Sequence, residues 1–221
     1  MASEAGQGER RRAALKRIAA LAATGAHFAD GQAPAEVHHR ARYDEIRALT
    51  AELLADEAEG HLEDVRAALP TPERGYATPL VDVRAALVEP RGVLLVRERS
   101  DGRWTLPGGF AETGVCAARN AEREVEEEAG LAVEVTRLYA IVHKASHPYD
   151  EDLRDFYKLL FLCRRRPGED RAPRPCGLET TDVGWFPRGA LPELSTGRII
   201  AEHVDLAFAA AEDGDRATFI G

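Results

Sequence analysis

The stretch Gly109-Phe110-Ala111-Glu112-Thr113-Gly114-Val115-Cys116-Ala117-Ala118-Arg119-Asn120-Ala121-Glu122-Arg123-Glu124-Val125-Glu126-Glu127-Glu128-Ala129-Gly130-Leu131 sets a glycine turn directly before a short helix. An α-helix advances about 100° per residue, so the spacing of Glu124, Glu127 and Glu128 puts three carboxylates on one face. Ionised side by side they repel, and an isolated helix gains nothing from them. A cation is expected there. Hard oxygen donors at this density favour Mg²⁺ or Mn²⁺ over zinc or copper. Ala118, Ala121, Val125 and Ala129 recur on a second face, small enough to lie close against a sheet. Arg119, Glu122 and Glu126 fall on a third face, expected to be solvated. Gly130 stands where a left-handed C-cap is usual, and Leu131 opens an apolar run.

Working outward, the segment resembles the Nudix box, G-x5-E-x7-R-E-U-x-E-E-x-G-U, with U a bulky aliphatic residue. Gly109, Arg123, Glu124, Val125, Glu127, Glu128, Gly130 and Leu131 fill their positions, and Val115 stands where the box has its first glutamate. The resemblance implies divalent-metal hydrolysis of a nucleoside diphosphate linked to another moiety, X. Glu124, Glu127, Glu128 and the Gly109 carbonyl would hold the metal or orient the water. Arg123 would orient neighbouring glutamates by charge-assisted hydrogen bonds. In the family the glutamate at the Val115 position supports the loop and helix start. Losing such a partner can reduce metal affinity or activity roughly 10–100-fold unless another group replaces it. Glu112, three residues earlier, is a candidate substitute.

The similarity covers most of residues 15–211. Tyr76–Pro79, Val81–Arg84, Val96–Glu98 and Asp101–Gly109 look like a Nudix branch with a helical N-terminal domain that includes CDP-choline pyrophosphatases. Arg42–Arg47 looks like its second helix and Tyr157–Cys163 like a core strand. This implies CMP and phosphocholine as products, and a homodimer built through the helical part. The alternatives are hydrolysis of ADP-ribose or another nucleotide sugar, and a non-catalytic Nudix-derived ligand sensor or regulator. Action on RNA ends ranks below these, because no basic groove with interleaved aromatics is evident.

The expected fold is α/β (α+β): a mixed sheet sandwiched between helices, preceded by a small helical N-terminal domain. Residues 1–69 read as about three helices, with stripes of Leu15, Ile18, Leu21 and Ala22, then Tyr43, Ile46, Leu49 and Leu53, then Leu62, Val65 and Leu69. Gly25 with Asp30–Pro34, and then Gly60, are read as the breaks. Residues 70–78 read as a linker and 79–221 as the catalytic domain. There, Val81, Val83, Ala85 and Leu87 alternate with Asp82, Arg84, Ala86 and Val88. Val93–Val96 returns after a turn, and Leu131–Val142, Asp155–Cys163 and Val183–Phe186 read as strands. Ile199–Ala211 reads as a closing helix.

Arg84 and Arg97 sit on strands near the expected mouth. They either clamp phosphates or pair with Asp82 and Glu98 on the sheet surface. His143, Lys144, His147 and Tyr149 cluster after a strand and either contact phosphate or base, or form a polar hairpin tip. Asp150, Glu151, Asp152 and Glu179 are candidates for an extra acid. The general base stays unassigned, because coupled carboxylates do not titrate independently. Trp104 and Trp185 are read as packing anchors, and His38 and His39 as surface residues.

A net charge of −9 argues against a general nucleic-acid coat. Residues 1–69 hold 9 Lys+Arg against 12 Asp+Glu, a net of −3, which is no DNA-binding footprint. The resemblance implies a small-molecule nucleoside diphosphate derivative as the partner. Cys116, Cys163 and Cys176 show no metal spacing and are expected to be reduced thiols. No stretch approaches the roughly 20 apolar residues of a membrane span, so the expected setting is cytoplasmic.

Overall fold

The computed structural model describes residues 4–29, 34–58, 61–71 and 75–221. The chain divides into two compact units, Met1–Pro79 and Leu80–Gly221.

The first unit holds α1 (Glu4–Phe28), α2 (Pro34–Ala58) and α3 (Leu62–Ala68), with α1 packed on α2 and α2 on α3. Its buried residues are largely small: Ala19, Ala22, Ala23 and Ala26 on α1, and Ala51, Leu54 and Ala55 on α2. Ile18, Leu21, Ile46, Leu49 and Leu53, expected to form the stripes, are exposed. Alanine lets helices approach closely, and the larger side chains are left outside that seam. Gly25 does not end a helix either. α1 runs through it, and a Cβ there would stand 2.6 Å from the Tyr43 ring, so glycine admits a close contact. On α3, Val65 is buried, as is Leu69 just beyond its end. His39 is exposed. The break residues Asp30–Ala33 and Gly60, linker residues 72–74 and the His38 side chain lie outside the described residues.

The second unit is built on an eight-stranded mixed sheet. Its strands are β1 (Leu80–Glu89), β2 (Gly92–Glu98), β3 (Trp104–Thr105), β4 (Gly108–Phe110), β5 (Val133–His143), β6 (Phe156–Arg165), β7 (Thr180–Phe186) and β8 (Phe219–Ile220). The order is β3-β2-β1-β6-β5-β8, with β4 also on β1 and β7 also on β2. β1 runs parallel to β6 and β5 to β8, while the other pairings are antiparallel. The helices are α4 (Ala117–Ala129) and α5 (Ala201–Glu212).

Successive strand residues point to opposite faces, and two cores follow that alternation. Val83, Ala85, Leu87, Leu94 and Val96 pack with Ala121, Val125 and Ala129 of α4. Ala86, Val93 and Leu95 pack with Val204, Ala207 and Phe208 of α5. The sheet is thus sandwiched between α4 and α5, in the expected architecture. β1 is buried from Asp82 to Leu87 on both faces, so Asp82 and Arg84 do not lie on a solvated surface. β3, β4 and β8 are short strands beyond the periodicity reading. Trp104 packs edge-on against Phe186, with ring centroids 4.7 Å apart. All three cysteines are free thiols. Among the described residues no helix is long and apolar enough to cross a membrane.

Candidate active site

The site begins with two glycines. β4 lies against β1 through Arg84↔Gly108 and Val83↔Gly109. Gly108 has φ +150°, and a Cβ there would land 2.1 Å from the Val83 carbonyl oxygen, so only glycine lets these strands meet. A Cβ on Gly109 would stand 2.9 Å from Glu124 Oε1. The glycine pair therefore brings bare backbone up to the carboxylates of α4.

The loop into α4 is held by groups other than Val115, which is exposed. Arg123 Nη2 lies 2.6 Å from Glu112 and Arg123 Nε 3.4 Å from Glu127. Glu112 thus ties the loop to the arginine of the box. Asn120, fully buried, donates to the carbonyls of Val115 and Cys116 and accepts the Glu112 N–H at 3.3 Å. Sequence reasoning missed this anchor. The available signal was an asparagine, a poor helix former, inside the first turns of a helix. At the other end Gly130 adopts the left-handed conformation (φ 69°, ψ 20°). Thr180 Oγ1 and the Arg174 N–H donate to the carbonyls of Glu128 and Ala129, satisfying acceptors that a helix end leaves open. Glu122 departs from the solvated reading: it accepts the Val135 N–H at 3.0 Å and pairs with Arg119 and Arg166.

The three box glutamates meet different surroundings. Glu128 is only 4% exposed and accepts the Gly108 N–H at 3.1 Å. Burial pushes its carboxyl up to about 8; Arg84 and the Gly108 N–H oppose the rise, and Glu124 and Glu98 add to it. Glu124 is raised too, by burial and then by Glu127, against Arg84 and Arg123. The Glu127 side chain is 60% exposed. Sequence reasoning gave Glu98 only a pairing role, yet it is buried, raised chiefly by burial, and acts on Glu128. It pairs with Arg198 at 3.2 Å rather than with Arg97.

Beneath these acids lies a buried charge network. Arg84 makes a bidentate bond to Asp82 (2.9 and 3.1 Å) and donates to the Leu106 carbonyl. Lys158, also buried, donates to Asp82 at 3.1 Å. Burial alone would raise Asp82, but Arg84 and Lys158 outweigh it and hold the carboxyl low. Burial lowers Lys158 to about 8 against the pull of Asp82. Arg84 is thus a fixed internal cation whose field reaches Glu124, Glu128 and Glu98. Of its two expected roles, the structure contains the pairing with Asp82.

The remaining candidates disperse. Arg97 is exposed and donates to the Gly102 carbonyl. His143 bridges Ser146 and Asp155, each at 2.8 Å. Lys144 and Tyr149 are not at an open hairpin tip: Lys144 is buried against Asp152, and the Tyr149 hydroxyl lies 2.7 Å from His203 Nδ1 in the α5-side core. Asp152 also pairs with Arg154, Asp150 accepts from Thr196, and Glu151 is exposed. Glu179, exposed, does act on the site, where its charge helps to raise Glu124 and Glu98.

The donor chemistry fits a hard divalent ion: carboxylate oxygens, two of them desolvated and resisting ionisation, lie against a strand whose missing Cβ leaves room. The three acids are not drawn together on their own, since Glu128 is turned to Gly108 and Glu127 to Arg123.

A family model described as the NUDIX domain matches residues 78–206. The putative ADP-ribose pyrophosphatase YjhB of Bacillus subtilis is 35% identical over 203 residues, covering 92% of this chain and 93% of that protein. The crystal structure of a UDP-X diphosphatase superposes with a TM-score of 0.58 at 32% identity, covering 94% of this chain and 96% of that one. An ADP-ribose pyrophosphatase from Streptococcus suis gives a TM-score of 0.55 at 35% identity, over 65% of this chain and all of that one.

Proposed function

This chain belongs to the Nudix family and is a Nudix hydrolase acting on nucleoside diphosphate derivatives, and on that premise we propose that its divalent metal, Mg²⁺ or Mn²⁺, is held by Glu124, Glu127, Glu128 and the Gly109 carbonyl. The observation that carries this is the packing of the half-buried Glu124 and the buried Glu128 against the Gly108–Gly109 backbone, where burial raises both carboxyls. When bound, the metal supplies charge neutralisation for the diphosphate and a lowered pKa for the attacking water. The chain supplies orientation. The Gly108 N–H fixes Glu128, Arg123 holds Glu127 in line with Glu112, and Arg84 offsets the gathered negative charge from below. A carboxylate of this group would accept the water's proton, and Glu179, whose charge helps to raise Glu124 and Glu98, is put forward as the additional acid.

For X we put ADP-ribose and UDP-linked compounds first, because the relatives described above carry those substrates in their names. CDP-choline, expected from the branch resemblance, remains the competing substrate. A screen of ADP-ribose, UDP-glucose and CDP-choline with Mg²⁺ and Mn²⁺, following products, decides among them. A nucleoside monophosphate plus phosphorylated X supports the reading. A folded, metal-loaded protein inert on all three favours the sensor instead. We further propose that the protein is a cytoplasmic homodimer. The exposed Ile18, Leu21, Phe28, Ile46, Leu49 and Leu53 of the helical unit support the association. A monomer by light scattering at micromolar concentration contradicts it.

A further inference from the structure

On the sheet face opposite the glutamates, two histidines are left with buried, unused nitrogens. His203, in the first turn of α5, is fully buried, and its Nε2 has no hydrogen-bond partner. His147, in the loop after β5, likewise has a buried Nε2 without a partner. The two rings meet edge to face at 4.8 Å. Glu202 lies beside them, and one donor atom from each of the three residues falls within 4.8 Å of the others. Buried polar atoms are normally satisfied, so two orphaned imidazole nitrogens on rings that meet beside a carboxylate call for a ligand.

We propose that His147, Glu202 and His203 form a second metal site, for a divalent ion of the zinc class, that clamps the loop after β5 to α5. Imidazole nitrogens select such ions over Mg²⁺, and two His with one Glu is a known zinc donor set that leaves the fourth position to water. Tetrahedral bonds of about 2.0–2.1 Å need donors about 3.4 Å apart. The exposed Glu202 side chain can adjust its own donor distances by rotation, and the partly exposed His147 loop supplies the remaining adjustment.

The surroundings are those of a built site. Tyr149 Oη lies 2.7 Å from His203 Nδ1. With the proton on Nδ1, His203 donates to Tyr149 and presents the Nε2 lone pair to the metal, as an outer partner of a ligating histidine does. The loop is fixed by the His147 N–H to the Lys144 carbonyl and the Tyr149 N–H to the His147 carbonyl. Phe219 stands about 6 Å from both imidazoles (6.1 and 6.2 Å), giving an apolar wall.

The test uses the full chain, stripped with chelator, reloaded with Zn²⁺ under excess Mg²⁺ and gel-filtered before zinc is counted. Wild type and Glu127→Gln retain about one zinc per chain, and His147→Gln loses it. His147 sits on a partly exposed loop, so this variant is expected to fold, which circular dichroism checks. Tyr149→Phe weakens zinc binding by about 10–100-fold, read by chelator competition. Wild type that retains no zinc, His147→Gln that holds it as tightly as wild type, or loss in Glu127→Gln instead would each overturn the proposal.

Discussion

The Gly108 N–H donates to Glu128 Oε2 at 3.1 Å, tying the backbone of β4 to a carboxylate that is 4% exposed. One hydrogen bond thus couples the glycine turn to the helix, and the group it fixes is an acid that burial pushes up to about 8. Metal binding, proton release and the integrity of the turn should therefore move together.

The pH dependence follows from Glu128. Its folded pKa, about 8, lies above the unfolded value of 4.5. The folded state therefore binds the extra proton, and that stabilisation is full below about pH 4.5 and lost as pH rises through about 8. In chelator, denaturation midpoints should fall across this window, and Glu128→Gln should flatten the fall. Mg²⁺ binding near pH 7 should release protons in calorimetry, with affinity rising toward pH 8. Affinity independent of pH would remove Glu128 from the site.

The two glycines should respond differently to alanine. At Gly108 a Cβ meets backbone at a positive φ, so Gly108→Ala should destabilise by about 2–4 kcal/mol in urea. At Gly109 it meets the flexible end of Glu124. Gly109→Ala should change stability by less than about 1 kcal/mol while weakening metal binding. Equal stability losses would contradict this reading.

Arg84 is an internal counter-ion rather than an exposed clamp. Arg84→Met leaves Asp82 to Lys158 and empties the bidentate hydrogen bond, and should destabilise by about 1–3 kcal/mol. Arg97→Ala, on an exposed side chain, should change stability by no more than about 0.5 kcal/mol. Substrate affinity that falls with Arg97→Ala would return that residue to the binding site.

Glu112 is ion-paired with Arg123 at 2.6 Å, and we propose that it fills the supporting role Val115 lacks. Glu112→Ala should lower turnover by about 10–100-fold through Arg123, whereas Val115→Ala should leave it within about twofold. Kinetics at saturating Mg²⁺ distinguish the two. A larger loss at Val115 would assign the support to the wrong residue.

Much of the fold was legible because it rests on period and punctuation. α4 runs from Ala117 to the left-handed Gly130 because its alanine and valine face repeats at helical spacing and the glycine stops it. The long strands likewise follow from β-branched runs. The helical unit was less legible, since periodicity weights large side chains while α1 and α2 bury alanines. β8 was illegible: Phe219–Ile220 pairs with Ala140–Ile141 through a register no local pattern encodes. In the site, the spacing of Glu124, Glu127 and Glu128 could be read directly. Glu98, Asn120 and Lys158 could not, because each is a single polar residue whose burial depends on tertiary packing.

The most direct test of the central claim is Mn²⁺-dependent hydrolysis of ADP-ribose, UDP-glucose and CDP-choline by wild type, Glu127→Gln and Glu128→Gln, with folding checked by circular dichroism. The account predicts turnover of at least one substrate by wild type, and losses of about 10²–10⁴-fold in both variants with the fold retained. Undiminished turnover in both variants would contradict it.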